Sequence, residues 1–145
     1  MQKTGFAQAL VELIREKNVQ MMGICLGMQV LCRSSEEGTV SGLGLIDADV
    51  RRFQYNKLKI PHMGWNVVSS ERANPLLPPN SEEERFYFVH SYKVVPDDTT
   101  ITIGSADYGG EFCAAFQRGN VFGVQFHPEK SHRFGMKLMR RFVEL

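Results

Sequence analysis

Apolar residues Phe6, Leu10, Leu13 and Ile14 recur at helical spacing, with Glu12, Arg15 and Glu16 between them. The spacing predicts an amphipathic helix of about three turns that stops near Asn18. Residues 20–24 then read as a short buried strand and residues 26–33 as a second helix. Residues 34–44 are a polar, Gly-rich connection. From Ile46 onward the period changes. Segments 60–68, 86–95 and 100–106 are rich in β-branched and aromatic residues and predict strands. Asn74-Pro75 and Pro78-Pro79 mark a loop between the first two. Segments 112–117 and 121–126 flank Arg118-Gly119-Asn120, a turn of hairpin length. A basic amphipathic helix over 133–142 closes the chain, with Lys137, Arg140 and Arg141 on a solvated face. Helix, strand, helix, several strands and helix predict an α/β domain over residues 1–145 with a mixed sheet and flanking helices.

Composition narrows the function classes. The chain has 145 residues, enough for one sizeable core, with 43% apolar and 23% charged residues. A net charge of +1 gives no basic surface for nucleic acid. No apolar run approaches the roughly 20 residues needed to span a bilayer, and the first residues lack the apolar stretch of a signal peptide. Three cysteines without framework spacing point to a reduced, cytoplasmic chain. No Cys or His pair has the spacing of a zinc site, so neither metal nor other cofactor is expected.

The chemistry concentrates at two places. Gly23-Ile24-Cys25-Leu26-Gly27 follows a short apolar run and reads G-x-C-x-G. A strand that re-enters a helix through such a turn displays its central side chain at the top of a sheet, here a cysteine nucleophile. The glycines are expected to take the strained dihedrals and to let helix and strand approach. The helix N-terminus after Cys25 is expected to favour the thiolate, and the Leu26 N–H to serve as an oxyanion donor. His127-Pro128-Glu129 directly follows the apolar strand 121–126. Pro128 keeps His127 out of helix, and Glu129 lies close enough to orient its ring. The reading is Cys25 attacking a carbonyl carbon, His127 as general base and then acid, and Glu129 holding His127. Cys32, placed in the same helix as the elbow, and Cys113, alternating within a strand, read as core. His132 reads as solvent-facing near a helix start. His62 and His90 border aromatic strand segments and are assigned to a site or an interface.

Gly-Ile-Cys-Leu-Gly-Met-Gln at 23–29 and Gly-Val-Gln-Phe-His-Pro-Glu at 123–129 resemble the two signatures of class I, triad-type glutamine amidotransferases. Segments 34–38, 42–46, Pro61-His62-Met63-Gly64-Trp65-Asn66 and Tyr87-Phe88-Val89-His90-Ser91-Tyr92 resemble one branch of that class, the glutaminase subunits of imidazole glycerol phosphate synthases. The resemblance covers nearly the whole chain and implies a flavodoxin-like fold. It implies that Cys25 forms a γ-glutamyl thioester from glutamine and releases ammonia, and that Gln29, Glu37, Ser91 and Tyr92, with Leu26, bind the substrate. It further implies a heterodimer with a (β/α)₈-barrel cyclase that takes the ammonia, with His62, Trp65, Asn66, Tyr87 and Lys130 near the interface. The family pattern has strands, and a Pro-Gly-Val-Gly segment carrying a second oxyanion donor, ahead of the position matched by residue 1. A fold lacking its first strands, with impaired catalysis, is therefore expected. A glutaminase of another synthase, a fold-retaining binding module and a Cys-His hydrolase of peptides or esters remain as alternatives.

Overall fold

In the strand Ile46–Arg52, Ile46, Ala48 and Val50 are buried while Asp47 and Arg51 face out, the alternation of a sheet with one wet face. The computed structural model describes residues 5–38, 41–54, 58–79 and 83–145. In chain order its elements are α1 (Phe6–Arg15), β1 (Met21–Ile24), α2 (Leu26–Val30), β2 (Cys32–Ser35), β3 (Ile46–Arg52), β4 (His62–Val67), β5 (Ser69–Ser70), β6 (Arg85–His90), β7 (Tyr92–Pro96), β8 (Thr102–Asp107), β9 (Glu111–Arg118), β10 (Val121–Val124) and α3 (His132–Val143). The main sheet runs β1-β10-β9-β7-β3-β2, with β8 also on β9 and β5 on β8. The pairs β1–β10 and β2–β3 are parallel and the rest antiparallel. β4 and β6 form a separate antiparallel pair. One core gathers Ile14, Met28, Leu31, Ile46 and Phe116 beneath α1 and α2; the other packs Phe86, Phe88, Phe122, Phe126 and Leu138 between the sheet and α3. The mixed α/β architecture matches the expectation.

Three elements differ from it, the first being β3 (Ile46–Arg52), which is not among the expected strands. The helix expected over 26–33 ends at Val30, and Cys32 lies in β2, buried as expected but in a strand. The carbonyls that would continue the helix are taken by a neighbouring segment: Leu43 N–H donates to Val30 O at 2.8 Å, Leu45 N–H to Leu31 O at 3.0 Å and Gly44 N–H to Cys32 O at 3.1 Å. This close pairing requires Gly42, whose Cβ would stand 2.0 Å from Cys32 O. The single strand expected over 86–95 is broken at Ser91. His90 pairs with His62 in the small sheet, whereas Tyr92 pairs with Arg52 in the main one. That crossing between sheets lies beside Cys25. The hairpin at Gly119-Asn120 forms as expected, and the Asn120 amide caps α1 by donating to Ile14 O at 2.9 Å and to Val19 O at 2.7 Å.

Candidate active site

β1 and β10 run parallel with Ile24 opposite Val124, so Cys25 and His127 leave the same end of adjacent strands. Cys25 sits at φ 51°, ψ −109°, a conformation that costs a non-glycine residue on the order of 1–3 kcal/mol. Its N–H is held by Val124 O at 2.8 Å. The strain therefore falls on the cysteine itself, not on the flanking glycines as expected. Gly23 serves close approach: a Cβ there would lie 2.6 Å from Gly27 O and 2.7 Å from Met28 N, so only glycine lets α2 sit against β1. A Cβ on Gly27 would meet open space.

The opposite wall is β6. Tyr87 O accepts from His127 N–H at 2.9 Å, and two residues on, Val89 O lies 4.0 Å from Cys25 Sγ. Two steps along a strand span about 7 Å, so one strand meets both Cys25 and His127. His127 Nδ1–H donates to Glu129 Oε1 at 2.6 Å. Its Nε2 is buried with no partner among the described residues. An orphaned buried acceptor normally costs about 1–3 kcal/mol; here it is the nitrogen that a general base requires free. Ser131 Oγ fixes the turn, donating to His127 O at 2.6 Å and accepting from Tyr87 N–H at 3.0 Å.

A cleft of about 290 Å³ opens at the thiol, lined by Cys25, Leu26, Gln29, Glu37, Ser91 and Tyr92 together with Pro61, Val89 and His90. The structure thus brings together every residue assigned to substrate binding. One participant escaped the sequence reading. Gln125, fully buried, accepts from Gln29 Nε2 at 3.0 Å through its Oε1 and turns its own Nε2 to Cys25 Sγ at 3.7 Å. Its signal was a lone amide inside the apolar run before His127. Gln29 Oε1 has no partner among the described residues and is free for a ligand.

The electrostatics correct one expectation. Burial pushes the Cys25 thiol above its ordinary range; the Leu26 N–H works the other way, and the charges of Glu37 and Glu129 add to the rise while Lys130 opposes it. The helix after the elbow is only five residues long, too short to outweigh desolvation. Iodoacetamide alkylation of Cys25 in the free chain is expected to keep accelerating beyond the ordinary thiol midpoint of about 8.5. A rate that levels off below that midpoint would contradict it. Cys32 and Cys113, both pushed up to about 12 by burial, do not compete. Partial burial also opposes charge on Glu129, but the hydrogen bond from His127 and its own main chain prevail and hold its carboxyl below the usual range.

Of the residues assigned to an interface, Trp65, Tyr87 and Lys130 share one face. The exposed Trp65 ring stacks on that of His132, exposed as expected, at 5.5 Å and meets Tyr87 edge-on at 6.2 Å; Lys130 Nζ lies 5.9 Å from the Tyr87 ring centroid. Asn66 is half-buried and donates to Asp107 O at 2.8 Å. His62 is not on that face: it is 3% exposed, enclosed by Phe88 and Tyr108. The polar–apolar pattern of β4 does not betray this, because an imidazole buries well once both ring nitrogens are paired. Among the described residues no cluster of three or more acidic, His or Cys side chains could hold a metal ion, and no helix is long and apolar enough to cross a membrane.

The elbow, the oriented histidine and the cleft at the thiol fit an enzyme class built on a displayed cysteine at the carboxyl end of a sheet. The sequence profile of the family described as glutamine amidotransferase class-I matches residues 2–145, and the chain belongs to that family. Imidazole glycerol phosphate synthase subunit HisH 2 of Pseudomonas aeruginosa is 51% identical over 146 residues, spanning 100% of this chain and 72% of that protein. The HisH subunit of Leptospira interrogans is 44% identical over 149 residues, spanning 100% of this chain and 73% of its own length. Among solved structures, a glutamine amidotransferase shares the fold with a TM-score of 0.70 at 18% identity, over 99% of this chain and 69% of that one. A glutamine amidotransferase from Thermotoga maritima gives 0.61 at 22% identity, with this chain spanning 54% of its length.

Proposed function

We propose that this chain is the glutaminase subunit of an imidazole glycerol phosphate synthase, acting in histidine biosynthesis. The observation that carries the chemistry is the His127 ring, bound to Glu129 through Nδ1 and with Nε2 buried and without a partner among the described residues, at the same sheet end as the Cys25 elbow. His127 Nε2 takes the thiol proton as Cys25 Sγ bonds to the side-chain amide carbon of glutamine. The C–N bond breaks, and the same proton leaves with the amine as ammonia. Water then attacks the thioester, His127 again accepts its proton, and glutamate departs as the thiol re-forms. Leu26 N–H, at the first position of α2 directly after Cys25, stabilises the developing oxyanion. Gln29, Glu37, Ser91 and Tyr92 hold the substrate's polar groups in the cleft. The raised thiol pKa is consistent with a site that ionises only as substrate and base come together.

The ammonia passes to a cyclase subunit, and the face of Trp65, Tyr87 and Lys130 is the docking surface. An exposed tryptophan stacked and ready is a typical anchor of such interfaces. The cyclase is of (β/α)₈-barrel type, and the pair works in the cytoplasm, where the free thiols stay reduced. Glutamate release, measured with and without the cyclase, tests the reading, together with labelling of Cys25 by a diazoketone analogue of glutamine. No glutamate and no labelling with the cyclase present would refute it. Trp65→Ala is expected to weaken cyclase binding at least about tenfold, read by titration calorimetry, without changing iodoacetamide labelling of Cys25.

A further inference from the structure

His62 and His90 are buried cross-strand partners that the chemistry above does not use. Their ring nitrogens meet, His62 Nδ1 to His90 Nε2 at 2.9 Å. The protons can be assigned from the ends of the chain they form. His90 Nδ1 lies 2.7 Å from Tyr92 O, and a carbonyl only accepts, so Nδ1 carries the His90 proton. His90 Nε2 is then an acceptor and His62 Nδ1 the donor to it. That leaves His62 Nε2 to accept from Asn66 Nδ2 at 3.3 Å, an amide that also donates to Asp107 O at 2.8 Å. The reverse arrangement, with His90 as a doubly protonated donor, would turn a His62 N–H toward the Asn66 NH₂. Burial reinforces the neutral state by pushing both rings down to about 4. Every bond therefore runs one way, from Asn66 through His62 and His90 to the Tyr92 carbonyl.

That chain ends in the wall of the cleft. Val89, His90, Ser91 and Tyr92 all line it, and the segment crosses there from one sheet to the other, with Ser91 O held by Phe53 N–H at 3.1 Å. We propose that His62 is a positioning residue: its Nδ1–H fixes the tautomer and seat of His90 and thereby holds the 89–92 wall against the substrate bound at Cys25. The identity of that substrate rests on the glutaminase reading.

A ring stacked between Phe88 at 4.8 Å and Tyr108 at 4.1 Å could serve packing alone, and two substitutions separate the roles. His62→Phe keeps the shape and loses the donor. His62→Asn loses the ring but places an amide N–H near the Nδ1 position. His62→Phe is expected to slow diazoketone labelling of Cys25 about tenfold, the scale of one lost hydrogen bond, while iodoacetamide labelling stays within about twofold. His62→Asn is expected to recover most of the diazoketone rate although it melts at a lower temperature than His62→Phe. Labelling that follows melting temperature, or a His62→Phe protein equal to the parent, overturns the proposal. So does ¹⁵N spectroscopy that finds the His90 proton on Nε2 in the parent chain. A parent that, with the cyclase present, reacts with iodoacetamide but neither takes the diazoketone nor releases glutamate refutes the glutaminase reading instead, and the ¹⁵N measurement still decides the tautomer.

Discussion

Cys25→Ala is expected to reduce glutamate release to background, and His127→Ala to lower kcat at least about 10⁴-fold, with circular dichroism unchanged. Each residue acts only through the other: the thiol is held protonated by burial, so without the imidazole there is no acceptor for its proton, and without sulfur the imidazole has nothing to activate. The double variant should accordingly be no worse than Cys25→Ala alone. Glu129 differs because it is exposed: its side chain is 58% accessible, against 17% for His127. Water can replace part of what its carboxylate offers, so Glu129→Gln is expected to cost about 10²-fold, less than loss of a buried orienting carboxylate. A Glu129→Gln loss as deep as that of His127→Ala would show that the carboxylate does more than orient the ring.

Gly135→Ala is expected to damage stability and activity together. Gly135 lies in α3, where an added Cβ would come 1.8 Å from Pro128 O and 2.7 Å from Pro128 C. These atoms are main chain, so no side-chain rotation relieves the clash, and the helix or the turn must move. The expected loss is about 3 kcal/mol, the upper end of ordinary overpacking, read by urea denaturation. Pro128 directly follows His127, whose carbonyl is tied to Ser131 and Lys130 within the same turn. Displacement of Pro128 therefore tilts the His127 ring, and residual activity is expected to fall at least about tenfold beyond what the unfolded fraction explains. An alanine variant as stable and as active as the parent would mean that α3 and the turn are not in the contact described.

Much of the site was legible in the chain because it is local. Gly23, Cys25, His127, Pro128 and Glu129 act within short segments whose backbone chemistry declares itself, and the His127–Glu129 bond spans only two residues. The strand β10 and its hairpin were equally plain from a short apolar run and a Gly-Asn turn. What failed depended on distant partners. The helix after the elbow was read too long because its carbonyls are captured by residues 43–46. The thiol was read as acidified because a helix N-terminus is visible in sequence and desolvation is not. His62 was assigned to a site or an interface, and nothing in its own segment announces the ring that meets it from β6.

The sequence by itself determined the family, and it singled out Cys25, His127 and Glu129 as the candidate nucleophile, base and orienting acid, since each signature is carried by residues a few positions apart. The tertiary structure alone decided that Cys25 bears the backbone strain and that Gln125 faces its sulfur. It alone decided that β6 meets both Cys25 and His127 and that His62 is sealed into a one-way chain ending at the cleft. These are consequences of burial and of pairing between strands far apart in sequence. Both set the solvation and the hydrogen-bond partners of a side chain, and neither leaves a mark in the residues beside it.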